Sequence, residues 1–218
     1  MKQTCTFFIV LIVLNSCNAQ RQKSVDYGYV TSDWTYKNDG LNLVFPLPNN
    51  WYFMDANTET LVKIGSDVNR LKAYTSAFQV PIEEFKKTNT NTIASLFEIT
   101  KLDTSATVVA KPIDYNADKT IIVGLVYSDN SDSYSFLRAT CSNCDDATFK
   151  KIFLKDVMLG NIHFDGYITG VIDNLGRKIG HFFGVKRINN LYLVCQFNFA
   201  EFKDYEIYKR YFHGFKLN

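Results

Sequence analysis

The sequence predicts an α+β domain, an antiparallel β-sheet with helices packed on it, and three observations carry that prediction. First, Leu191, Leu193, Cys195, Phe197 and Phe199 alternate with Tyr192, Gln196 and Asn198, the period-two mark of a strand with one apolar face. Second, Phe202, Tyr205, Tyr208, Tyr211 and Phe212 follow at helical spacing along one broad stripe. Third, a chain of 218 residues that is 46% hydrophobic and 21% charged is too apolar to stay disordered and long enough to bury a core without staples. Strands and helices that segregate in this way define the α+β class.

Taken in order, Leu41, Leu43 and Phe45 open a strand that Pro46-Leu47-Pro48-Asn49-Asn50 breaks, and Trp51-Tyr52-Phe53 resumes an extended run. Leu61, Ile64, Val68, Leu71, Tyr74 and Phe78 recur at helical spacing, interrupted by Gly65. Pro81 then opens a short helix in which Glu83 and Glu84 precede Lys86 and Lys87, the charge order that the helix dipole favours. Residues 94–102 and 120–127 read as strands, and the second is apolar on both faces, which predicts a central place in the sheet. Asp145 or Asp146 caps a further helix whose apolar positions are Phe149, Ile152, Phe153 and Val157, with Gly160 past its end. Residues 167–172, 178–187 and 191–199, joined by turns at Asp173-Asn174-Leu175-Gly176 and Asn189-Asn190, form a C-terminal three-strand meander. The closing helix has Glu201 and Asp204 in its first turn, Lys209, Arg210 and His213 near its end, and Gly214 as its cap.

The first residues read as an address rather than as fold. Lys2 supplies a positive start, and Phe7 to Leu14 is an unbroken apolar run of eight residues. As a helix it spans about 12 Å, far short of the roughly 30 Å hydrocarbon core, so it is a secretory signal and not a membrane span. Leu14-Asn15-Ser16-Cys17 resembles the lipobox of bacterial lipoproteins, in which the Cys thiol is joined to diacylglycerol, the chain is cut just before it, and the new amine is acylated. The resemblance makes Cys17 the lipidation site and implies a cell-envelope protein, lipid-anchored and facing the periplasm. Cleavage after Ala19, giving a secreted soluble protein, is the alternative. The resulting division is a signal over 1–16, the lipidated Cys17 with a polar tether over 17–39, and a single domain over 40–218.

Two end motifs resemble a known family. Phe45-Pro46-x-Pro48-x-x-Trp51 looks like the start of PsbP-like domains, and the aromatic strand, aromatic helix and Gly214-Phe215-Lys216-Leu217 look like their close. Small lipoproteins of flavobacteria and their relatives are similar in both places and at Ser16-Cys17-Asn18-Ala19-Gln20. The resemblance implies an α/β/α sandwich around an antiparallel sheet. None of the family's ion-binding residues matches here, so it implies no site.

The chemistry-bearing residues are few. Cys141-Ser142-Asn143-Cys144 precedes the helix expected near Asp146, where a helix N-terminus would favour thiolate; Asp145 and Asp146 oppose that, and a local disulfide between Cys141 and Cys144 is the expectation in an oxidising compartment. Zinc needs about four ligands, and two cysteines with one of His163, His181 or His213 fall short. His181 shares a face with Ile179, Phe183 and Val185, and no motif places a carboxylate or nucleophile beside it. Cys195 reads as a small buried hydrophobe, and Asp129-Asn130-Ser131-Asp132-Ser133 as a solvated turn. No catalytic, cofactor-binding or metal residue is assigned. With 24 basic against 22 acidic residues there is no basic face for nucleic acid. The expected function is a non-enzymatic binding or assembly module, partnered with the membrane through its anchor and with an unidentified protein or small ligand. The surface expected to dock that partner lies around Trp34, Trp51 and Tyr52. The alternative is a periplasmic enzyme or thiol-redox accessory using Cys141 and Cys144.

Overall fold

Antiparallel pairing organises most of the chain. The computed structural model describes residues 24–55, 60–71, 74, 78–110, 119–130, 132–141, 151–172, 176 and 178–218. The strands are β1 (Ser24–Asp26), β2 (Tyr29–Val30), β3 (Thr35–Asn38), β4 (Leu43–Pro46), β5 (Tyr52–Asp55), β6 (Thr60–Lys63), β7 (Gln79–Pro81), β8 (Ala94–Thr100), β9 (Val108–Ala110), β10 (Thr120–Tyr127), β11 (Ile152–Leu159), β12 (Ile162–Ile172), β13 (Lys178–Ile188), β14 (Leu191–Phe199) and β15 (Lys216–Leu217). Among the described residues the α-helices are α1 (Ile82–Asn89), α2 (Ser133–Cys141) and α3 (Phe202–Tyr211).

A nine-stranded sheet runs in the order β11-β12-β13-β14-β10-β8-β5-β6-β9, a four-stranded sheet in the order β15-β4-β3-β2, and β1 pairs with β7. The small sheet lies on one face of the large one, here called the inner face, so that Phe45 of β4 stacks on Phe97 of β8 at 5.2 Å between centroids. Helix α3 continues the same layer, with Tyr208 parallel to Phe197 of β14 at 5.3 Å. The inner face is thus an aromatic core shared by both sheets and α3, in which Tyr36, Phe45, Phe97, Phe182, Phe197, Phe212 and Phe215 are all buried. Two glycines make room for these rings: a side chain at Gly184 would stand 2.7 Å from the Phe182 ring, and one at Gly180 would strike Phe199.

The expected α+β class, and with it the α/β/α sandwich that the resemblance implies, is overturned by this arrangement. The molecule is β-rich, two facing antiparallel sheets with short helices at their margins. Two of the expected helices are strands. Residues 152–159 form β11, because a bulge between Leu154 and Val157, with Asp156 at φ 58°, resets the alternation and leaves Phe153 and Val157 at a spacing that imitates a helix. Thr60–Lys63 form β6, which ends in a turn at Gly65 (φ 92°) before a single 3₁₀ turn at Val68–Arg70. Ser24–Asn38, expected within a polar tether, contribute β1 to β3, with Val25 and Tyr36 fully buried, while residues 17–23 lie outside the described residues.

Other readings hold. The meander is β12, β13 and β14, antiparallel throughout, with Asn189 at φ 54° in the expected second turn. β10 is the middle strand of the nine, paired with β14 on one side and β8 on the other. In α3 the Glu201 N–H donates to Asp204 at 3.0 Å, closing the first turn, and Gly214 follows the helix at φ 84°. The two segments that carried the family resemblance meet: β15 pairs with β4, and Phe215 stands edge-on to Phe45 at 5.1 Å.

Candidate functional site

The outer face of the nine-stranded sheet is covered differently. At one end Tyr52, Met54 and Leu61 are sealed by the chain around 102–109, to which Tyr52 donates through its hydroxyl at Thr104 O and Ala106 O. At the other end the cover is α2. Asp132 caps it by accepting from the Ser135 N–H at 2.8 Å, and this bond holds the Asp132 carboxyl below its usual range. Among the described side chains of the helix only Phe136 and Leu137 are fully buried, and Phe136 stacks on Tyr192 at 4.5 Å with planes 7° apart. Tyr192 in turn donates to Asn130 O at 2.9 Å, tying the approach to the helix down to β14.

Between α2 and the sheet lies a cleft of about 450 Å³. Its apolar walls include Ile93, Val126, Phe136, Tyr167 and Phe183, and its polar groups are Asn91, Thr140, His181 and Gln196. Strand register builds the floor: Tyr167 sits opposite Phe183, and Phe183 opposite Gln196, so three neighbouring strands each give one residue to a row. The Tyr167 and Phe183 rings lie offset and nearly parallel, 5.4 Å apart with planes 16° apart. One step along the strands runs a polar row, with Thr169 opposite His181 and His181 opposite Asn198. Farther across the sheet Thr120 donates to Thr100 at 3.3 Å, and both are buried.

His181 is the chemically distinctive member. Its Nδ1 lies 2.6 Å from Asn198 Oδ1, while burial lowers its pKa from the ordinary histidine value and the Asn198 bond acts weakly the other way. The ring is therefore neutral at neutral pH. The described residues lining the cleft include no carboxylate, ammonium, guanidinium or thiol, and the Thr140 hydroxyl is turned back onto the helix carbonyls of Phe136 and Leu137. An apolar, aromatic-walled lining with neutral polar groups suits an uncharged molecule. The far side of α2 carries a second hollow of about 420 Å³, where the exposed Tyr134 and Phe153 rings meet at 5.8 Å. There Asp132 is engaged in capping, and Asp165 accepts from the Asp156 N–H.

The residues singled out by sequence fall apart in space. Cys17 and Cys144 lie outside the described residues, and with them the lipid anchor and the Cys141–Cys144 disulfide. Cys141 is the last residue of α2, so its backbone stands at the dipole end that disfavours thiolate, and the helix expected near Asp146 begins outside the described residues. Cys195 is a free, fully buried thiol whose pKa burial pushes well up, as a small hydrophobe requires. It belongs to the inner-face core, whereas α2 lies on the outer face, so Cys195 and Cys141 are on opposite sides of the sheet. His163 pairs with Asp156 at 2.6 Å on β11 and β12, and His213 is exposed just after α3. Among the described residues no group of three or more His, Cys, Asp or Glu is placed to hold a metal ion.

The expected docking surface is corrected outright. Trp34, Trp51 and Tyr52 are 6%, 2% and 0% exposed, so they are core residues. The segment expected as a solvated turn at 129–133 leads straight into α2, a helix that the sequence reading does not contain. Its signal was present: Asp132 three residues before Ser135, then Phe136, Leu137 and Thr140 at helical spacing. Fold and cleft together define the molecule as a two-sheet, β-rich domain with a neutral, aromatic-walled cleft under one short helix. Compared with known proteins, the chain matches no family model and no curated sequence. Among the described residues no helix is long and apolar enough to cross a membrane.

Proposed function

We propose that this protein is a non-enzymatic binding module, held in the cell envelope by acyl chains on Cys17 and facing the periplasm, whose cleft under α2 takes a small uncharged ligand. The observation that carries the binding role is the cleft itself: about 450 Å³, walled by aromatic and aliphatic side chains, with only neutral polar groups at its base. A charged ligand would lose its hydration there and find no opposite charge among the described residues that line the cleft. The anchor rests on Leu14-Asn15-Ser16-Cys17 alone. Two or three acyl chains hold a protein to a bilayer at about 0.8 kcal/mol for each buried methylene, with no help from a basic surface.

The binding role is tested by protein-observed NMR of the full chain with indole, a neutral planar probe. Shifts are expected to concentrate at His181, Gln196 and Thr140, and Ala139→Trp, which fills the cleft from the helix side, is expected to abolish them. Shifts scattered over the surface, or unchanged in A139W, would refute the role. The anchor is tested by mass measurement of the mature protein: an acylated Cys17 as first residue is expected, and an unmodified chain starting at Gln20 would refute it.

A further inference from the structure

We infer that the cleft selects planar ligands bearing an N–H or O–H donor, and that Nε2 of His181 is the atom that reads this donor; the inference rests on the cleft being a ligand site, as proposed above. The amide oxygen of Asn198 can only accept, and it lies 2.6 Å from His181 Nδ1, so Nδ1 carries the hydrogen. A neutral imidazole has a single N–H, which leaves Nε2 as a lone-pair acceptor. His181 lines the cleft and Asn198 does not, so the ring turns its Nδ1 edge away and leaves the Nε2 edge to the ligand.

This tautomer is built into the sheet. His181 and Asn198 stand directly opposite each other where β13 pairs with β14, so the bond is set by register and does not depend on a loop. Burial lowers the pKa of the ring and keeps Nε2 unprotonated. Around it, Thr140 is occupied by helix carbonyls, and Gln196 is the other polar side chain that the floor row brings in. The remaining walls fit a flat ring: the offset Tyr167–Phe183 pair below, and Ile93, Val126 and Phe136 beside it. A ligand that fills the space without a donor leaves an acceptor both dry and unpaired. That loss is a factor of roughly 10 to 100 in affinity, or about 1.4–2.7 kcal/mol. Asn198 acts here as a positioning residue, through the ring it orients.

Two measurements on the full chain test the inference. Long-range ¹H–¹⁵N correlation of ligand-free protein at pH 7 is expected to give a protonated Nδ1 and a pyridine-like Nε2 at His181, with Asn198→Ala shifting the ring toward mixed tautomers. A protonated Nε2 in the wild type overturns the inference whatever binds. Titration with indole and with 1-methylindole is expected to favour indole at least about tenfold, and His181→Phe to remove the preference while retaining binding. Equal affinity of the wild type for the two probes overturns donor selection and leaves the cleft as a ligand site. Failure of both probes to produce any shift that A139W removes overturns the ligand-site reading, and donor selection with it.

Discussion

The two faces of the nine-stranded sheet are made from the same strands and serve opposite ends. On the inner face Phe45 alone meets Phe97 of β8 and both Phe212 and Phe215 of the turn between α3 and β15, at 5.1 to 5.6 Å between ring centroids. On the outer face the cover that the described residues give β12 to β14 is one short helix in which Phe136 and Leu137 are fully buried, and a cleft remains beside it. The same alternation that sends Leu193, Cys195 and Phe197 inward sends Val194, Gln196 and Asn198 outward, so each residue of β14 is committed to one task or the other. An interlocked inner layer lets the outer one stay open: stability is concentrated where nothing has to enter.

The sharpest way to break this comparison is to truncate one ring on each face. Phe45→Ala is expected to cost about 3–5 kcal/mol in denaturant unfolding, because its fixed neighbours cannot collapse into the space. Phe136→Ala is expected to fall at or below the low end of that range, since α2 borders an existing cleft and can settle. Equal losses would show that the outer cover is as rigid as the core.

Acidity divides the faces in a second way. Burial pushes the phenols of Tyr74 and Tyr205, both packed on the inner side, from 10.0 up to about 12, and pushes Tyr36 further in the same direction. A raised phenol pKa leaves the inner face at full strength below pH 10 and weakens it as pH climbs from 10 toward 12. His181 works the other way round on the outer face, its folded pKa lying below the ordinary 6.5. Its contribution is complete above pH 6.5 and is lost as pH falls from 6.5 toward the lower folded value, because the unfolded chain takes up the proton first. Unfolding measured across pH should therefore show a larger alkaline loss and a smaller acid loss. The acid limb between pH 6.5 and 5 should be shallower in His181→Gln, and an identical slope in that variant would remove the histidine from the account.

The sequence made the meander legible because β12, β13 and β14 keep an unbroken period of two and end in turns that Asn189 and Gly176 can make. It made β10 legible as central because that strand is apolar on both sides. The failures have local causes. The Asp156 bulge turned the apolar positions of β11 into a false helix, and a strand followed by Gly65 and a 3₁₀ turn did the same for 61–71. Trp34, Trp51 and Tyr52 are expected at a docking surface yet are buried, because the sequence does not say which rings a second sheet or a returning loop will cover. Of the site, the shared face of His181 and Phe183 was visible in the alternation. The cleft was not, because it exists only where α2 crosses that face, and the Asn198 bond that sets the ring joins residues 17 apart in sequence.

The pairing of β15 with β4 has a consequence for the order in which the molecule assembles. Lys216 lies opposite Val44, and the Asn218 N–H reaches Asn42 O at 2.9 Å, so the small sheet is stitched from segments at opposite extremes of the described chain. No local hairpin can nucleate that contact, and its loop-closure entropy must be met before Phe215 can settle against Phe45 and Phe164. A chain that has formed every other strand therefore still lacks the Phe215 contacts, and its inner aromatic layer is complete only once residues 215–217 dock.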